Sequence, residues 1–279
     1  MNIFQAVQFG LIQGITEFIP VSSAAHLCVL FNLFGLSASG FNVKAFSVFL
    51  HFGTILAAFI SYWQDFAEVF FQILEFAASG SGGESGPKRR SFPAARLLIM
   101  MLFSILPLVM LLPLQRYIAR LFDLNGLIGI MLVLTGLILF ISDRLWEREK
   151  TERNMSLSDA ILIGLCQMVS AIPGISRTGI VYTAGVAVGL KRDFAVKYAV
   201  MLSVPVMFAA NIIRLVDAAS DPFALADVPV CLIGMAAALG SGILSIRVFR
   251  ALGEKGRLRN VGYYSCVAGV LSVILTMIF

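Results

Sequence analysis

Two long apolar stretches of the sequence, Asn2–Phe34 and Ser158–Leu190, are each broken near the centre by proline and small polar residues. Pro20 interrupts the first, and Pro173-Gly174 the second. In hydrocarbon, a break in a helix leaves backbone N–H and C=O groups with no water to satisfy them, so it is tolerated only inside protein or beside a water-filled cavity. The bilayer itself is implied by composition. Of the 279 residues, 59% are hydrophobic and 13% charged, against about 25% charged in a soluble domain. The expected fold is an all-α integral membrane protein in which both stretches form re-entrant helix–turn–helix hairpins.

A transmembrane helix needs about 20 mainly apolar residues. Six further segments meet or approach this: Ala45–Trp63, Leu97–Leu114, Leu124–Ile141, Phe194–Leu215, Val228–Val248 and Val261–Phe279. Between them, residues 77–96 form a Gly/Ser-rich, basic stretch that reads as a flexible loop. The two broken stretches resemble each other. GLIQGITEFIPVSSAAH starts at Gly10 and GLCQMVSAIPGISRTGI at Gly164, sharing Gly-Leu-x-Gln and then Pro-x-x-Ser. One membrane domain of two repeats follows, about 1–142 and about 157–279.

Charge sets the orientation. Lys and Arg concentrate at 77–96, 143–159 and 250–260, which places those segments in the cytoplasm. The acidic loop with Asp217, Asp221 and Asp227 then lies outside, as do both termini. Six crossings alternate correctly only if each hairpin returns to its own side, the first from outside and the second from the cytoplasm. That is an inverted-topology repeat whose tips meet inside the membrane. No basic residue precedes Lys44, so the basic n-region of a cleavable signal peptide is missing. The net charge of +5 comes from clusters beside apolar spans, such as Lys88-Arg89-Arg90. These are orientation signals, and no nucleic-acid partner is expected. Cys28, Cys166, Cys231 and Cys266 are scattered singly and read as small core hydrophobes.

The tips carry the chemistry. Gln13 and Glu17, four apart, share one helical face. An ionisable group at a membrane helix centre costs about 2.5–3.5 kcal/mol, which makes Glu17 a functional candidate. A new helix can start after Pro20, placing Ser22 and Ser23 where backbone N–H groups favour an anion. His26 follows Ser23 by three residues on the same side. The second tip offers Gly174 for close backbone approach, the hydroxyls of Ser176 and Thr178, and Arg177, a fixed fork suited to phosphate oxygens. His51 reads as a structural polar contact. From residues alone this is a phosphate-handling membrane site, in an enzyme or a transporter.

At these two motifs the sequence resembles the undecaprenyl-pyrophosphate phosphatase family, the bacitracin-resistance phosphatases. The first family motif stands here as Gln13-Gly-Ile-Thr-Glu17, then Pro20-Val21-Ser22-Ser23 and His26, and the second as Pro173 to Gly179. The sequence departs at Ala24 and Ala25, where members usually carry Thr and Gly, at Val181 in place of a common Thr, and at Gln13, the non-acidic option. The resemblance implies hydrolysis of undecaprenyl diphosphate to the monophosphate in the bacterial inner membrane, with the site opening outward. It also implies a divalent cation, magnesium or calcium, near Glu17.

On that reading Ser23 is the expected nucleophile. His26 is the general base and then acid, with Glu17 able to share the work. Arg177, Ser176, Thr178, Gln13, Ser22 and Gly174 bind the phosphates. Direct attack by water stays open. The expected partners are the polyprenyl diphosphate and the lipid bilayer, and a homodimer is left open. Two alternatives remain, a flippase or transporter of the polyprenyl phosphate and a noncatalytic paralogue.

Overall fold

The computed structural model describes residues 1–36, 41–78, 93–122, 124–146, 148–219 and 221–278. The described residues form twelve α-helices. Six regions are long and apolar enough to cross a membrane, and the chain is a multi-span membrane protein. They comprise α3 (Val43–Ser61), α5 (Pro93–Val109) continued by the short α6 (Gln115–Leu121), α7 (Asn125–Arg144), α10 (Arg192–Ala218), α11 (Val228–Gly253) and α12 (Arg259–Ile278). All six expected spans are present, most extended by a few residues. The expected flexible loop at 77–96 falls mainly outside the described residues. One further helix, α4 (Trp63–Ala78), was not expected, because Asp65, Glu68 and Gln72 mask its apolar face in a span-length window.

The two broken stretches form two pairs of short helices. The first pair is α1 (Ile3–Phe18) and α2 (Ser23–Leu33), and the second α8 (Leu157–Met168) and α9 (Arg177–Ala187). With 16 residues, α1 is about 24 Å long, short of the ~30 Å hydrocarbon core, and the other three are shorter. Within each pair the second helix packs back on the first. Asn2 and Gln5 close a capping box at the start of α1, and Ser156 and Asp159 do the same for α8. Each connection needs a left-handed residue. In the first it is Ser22, at φ 66°, the only non-glycine residue with positive φ among those described; in the second it is Gly174, at φ 102°.

Small residues set the helix neighbours. Gly10 and Gly14 of α1 lie so close to Gly234, Ala238 and Ser241 of α11 that an added Cβ would overlap them. Gly129 and Gly136 of α7 meet α12 in the same way, and Gly53 of α3 meets Met235 of α11. In the second half, Gly164 of α8 lies against Ser104 and Pro107 of α5, and Ser104 donates to the Ala160 carbonyl (2.7 Å). The start of α3 meets the end of α10, where Asn42 donates to the Ala218 carbonyl (3.0 Å) and Lys44 pairs with Asp221 (2.8 Å). At the opposite end Lys197 near the start of α10 pairs with Asp65. Lys150 there donates to Asp159 (2.8 Å). Burial pushes the Asp159 carboxyl up, but the bonds from Lys150 and Ser156 together hold it below its ordinary value. α1 therefore begins at the end where α10 finishes, and α8 at the end where α10 begins.

Three of the four cysteines are buried or half-buried, as expected of small hydrophobes, but Cys166 is on the exposed face of α8.

Candidate active site

The two connections touch. Thr178 Oγ1 donates to the Glu17 backbone carbonyl (2.9 Å), and Gly179 lies against Pro20. The last turn of α1 and the first turn of α9 are thereby fixed together deep in the bundle.

Glu17 is buried, at 6% exposure. Its Oε2 accepts from Gln13 Nε2 (2.9 Å), one turn earlier, and from Ser23 Oγ (2.6 Å), across the break. The second bond is short, as expected for a hydroxyl donating to a carboxylate. The hydroxyl of Ser23 thus points its proton at a buried base. Sequence spacing placed His26 on the side of Ser23, and the hydroxyl here donates to Glu17. The His26 ring turns the other way. Its Nδ1–H donates to the Ser22 carbonyl (2.8 Å), so Nε2 accepts from the Tyr264 hydroxyl of α12 (2.8 Å). Residues three apart share a helical face, but the rotamer decides what the ring reaches.

In the second connection most polar groups are already engaged. Ser176 Oγ accepts from the Gly179 N–H (3.2 Å) and caps α9. Thr178 is taken by Glu17. Gly174, expected to let the backbone approach a ligand, lies so close to Ile128, Met131 and Leu132 of α7 that an added Cβ would overlap them. Its carbonyl accepts from Thr135 (2.8 Å). Arg177 is the exception: its Nη1 is buried and has no hydrogen-bond partner. A buried guanidinium donor without a partner is chemically suited to an anion's oxygen.

Arg214, to which the sequence reading gave no role, stands beside the site together with His51. Arg214 of α10 donates from Nη1 to His51 Nε2 (3.0 Å), while His51 Nδ1 donates to the Ser47 carbonyl (2.7 Å). His51, expected as a structural contact, is therefore a neutral brace for a guanidinium. Arg214 and Arg177 both act electrostatically on Glu17 and on each other. None of the ion pairs among the described residues includes Glu17, Arg177 or Arg214. The site thus holds two guanidinium groups and one carboxylate.

Two of the departures from the family pattern have apolar surroundings that suit them. Ala25 packs against Ile128 and Leu132, and Val181 lies in the main apolar core. A cleft of about 810 Å³ beside Asp143 and Arg259 contains none of these residues. The unpartnered Arg177 donor and the Ser23–Glu17 bond locate the candidate site better than volume does.

A cation does not fit these residues well. Among the described residues no group of three or more His, Cys, Asp or Glu side chains could hold a metal ion. Glu17 is the one carboxylate at the tips, and its Oε2 already accepts two hydrogen bonds. Two guanidinium groups would repel a cation placed beside it.

Residues 6–271 match the family of the bacitracin resistance protein BacA. The chain belongs to this family. An undecaprenyl-diphosphatase of Halothermothrix orenii is 32% identical over 280 residues, covering 100% of both chains. One of Methanobrevibacter smithii is 34% identical, covering 97% of this chain and 96% of the relative. One of Pelotomaculum thermopropionicum is 32% identical, covering 99% and 97%. The BacA match covers α2 to α11 completely and most of α1 and α12, so it includes every residue of the candidate site.

Proposed function

We propose that this chain hydrolyses undecaprenyl diphosphate to undecaprenyl phosphate and inorganic phosphate, which recycles the lipid carrier of envelope glycans and confers bacitracin resistance. The observation that carries the mechanism is the Ser23–Glu17 hydrogen bond together with the unpartnered donor of Arg177. Ser23 loses its proton to Glu17 as its oxygen bonds to the terminal phosphorus. The bond from that phosphorus to the bridging oxygen breaks, and the lipid phosphate leaves. Water then attacks the phosphoserine, releasing inorganic phosphate and restoring the Ser23 hydroxyl. Arg177 offsets the charge that builds on the transferring phosphoryl oxygens. Gln13 orients Glu17. His26 acts by holding the strained carbonyl of Ser22, and so the first turn of α2, in place. Carrying a lipid phosphate across the membrane would need anion-binding groups but not a hydroxyl aimed at a buried carboxylate, so hydrolysis is the better reading.

The exchange of partners between the halves, α1 on α11 and α8 on α5, supports two re-entrant hairpins in an inverted repeat. The positive-inside distribution supports termini on the outer side of the bacterial inner membrane. The end shared by Asn2, Asn42 and Asp221 is then the outer one, and the site opens toward it. Release of inorganic phosphate from undecaprenyl diphosphate by purified protein tests the activity. Lipid movement without phosphate release would overturn it in favour of transport.

A further inference from the structure

Arg214 is a third charged group at the site, and the mechanism above does not use it. Its position along the bundle follows from helix register. Gly10 of α1 and Gly53 of α3 sit at one level, opposite Gly234 and Met235 of α11. Glu17 is seven residues beyond Gly10, about 10 Å further from the Asn2 end. His51 precedes Gly53, and Arg214 is one turn from Ala218, which Asn42 contacts. Arg214 therefore lies between Glu17 and the end shared by Asn2, Asn42 and Asp221. Helical side chains lean toward the N-terminus of their own helix. Arg214 thus leans inward from the end of α10, and Glu17 leans back toward it.

We propose that Arg214, braced by His51, takes the place of a divalent cation at this site by binding the phosphate that stays on the lipid. This rests on the phosphatase reading. The terminal phosphate must lie deepest, at Ser23 and Arg177, so the lipid-linked phosphate lies on the side where Arg214 stands. Its brace is a neutral imidazole rather than a carboxylate, so its charge is not cancelled locally. Gln13 adds no negative charge, and two guanidinium groups against one carboxylate leave the site cationic before substrate arrives. A cation carried in by the diphosphate would share the pocket with both of them. The disagreement between the cation that the family resemblance implies and the residues present is resolved by a second arginine.

The test uses the full chain in detergent or liposomes, with two readouts. The first is phosphate release from undecaprenyl diphosphate in excess EDTA and in added magnesium or calcium. The second is titration with inorganic pyrophosphate in EDTA. The wild-type protein is expected to work at a similar rate with and without the cation and to bind pyrophosphate in EDTA. Arg214→Gln is expected to weaken that binding about tenfold, to raise KM in EDTA by a similar factor, and to recover with added magnesium; Arg214→Lys should retain most of both. A wild-type protein that is inactive in EDTA and restored by the cation, with Arg214→Gln behaving alike, would overturn the proposal. If no phosphate is released under any condition, the phosphatase reading fails. The pyrophosphate titration still decides whether Arg214 is the anion-binding group.

Discussion

The two hairpin connections begin from nearly the same sequence and end with different chemistry. Gln13 and Gln167 occupy matching places in Gly-Leu-x-Gln, yet only Gln13 finds a partner, because Glu17 follows it by four residues. At the corresponding step after Gln167 stands Ala171, and both polar atoms of Gln167 are buried without partners. Ser23 and Ser176 match in Pro-x-x-Ser. Ser23 is the first residue of α2 and points its hydroxyl at Glu17, whereas Ser176 is the cap of α9 and uses its hydroxyl on the backbone. On the proposed mechanism one half carries the reactive hydroxyl and the other presents Arg177. A duplicated motif thus fixes where two tips meet, while the residues four positions on decide what each tip does.

The contrast is broken most severely by removing the reactive half. Glu17→Gln leaves the Ser23 hydroxyl without a base and is expected to lower kcat about 10²–10⁴-fold with protein yield and thermal stability kept. Arg177→Ala should lower kcat about 10²–10³-fold, because it removes charge stabilisation of the transferring group. A near-normal rate in that variant would separate the second hairpin from the chemistry. On the scaffold side, Thr178→Val breaks the link between the tips. The expected cost is about 1 kcal/mol of stability, seen as a lower melting temperature, with a modest loss of rate.

The two glutamines sharpen the comparison further. Gln167→Leu removes two unpartnered polar atoms and should be neutral or stabilising by about 1 kcal/mol, whereas Gln13→Leu should reduce activity by freeing Glu17. The smallest effect is expected at Asp159. Its carboxyl is held below its ordinary value, so its contribution is present above the unfolded value and is lost as pH falls through the folded one. A thermal melt of Asp159→Asn should therefore differ from wild type at neutral pH and converge with it in acid.

Much of this was legible in the sequence because an ionisable group inside an apolar segment has few reasons to be there. Glu17 and Arg177 stand out on that ground, and the proline breaks locate the tips. Arg214 was not legible, because it is three residues before Asp217 at the end of an apolar span, where an arginine reads as an anchor at the membrane surface. The available signal was Asn211, a buried polar residue one turn earlier on the same helix, which donates to the Val48 carbonyl of α3 (3.3 Å). A polar stripe facing α3 could have pointed to the same helix face. The partners of the His26 ring were not legible for a different reason. Spacing gives the face of a helix but says nothing of Tyr264, which arrives from the last helix in the chain. Likewise, a glycine in a tip motif suggests room for ligand, and only the structure shows that the Cβ side of Gly174 is filled by α7.

The most direct test of the central claim is a rapid-quench reaction with undecaprenyl diphosphate labelled in its terminal phosphate. The wild-type protein should carry the label on Ser23, and Ser23→Ala should carry none and release no phosphate. Unlabelled wild-type protein together with a Ser23→Ala variant that turns over at the wild-type rate would contradict it.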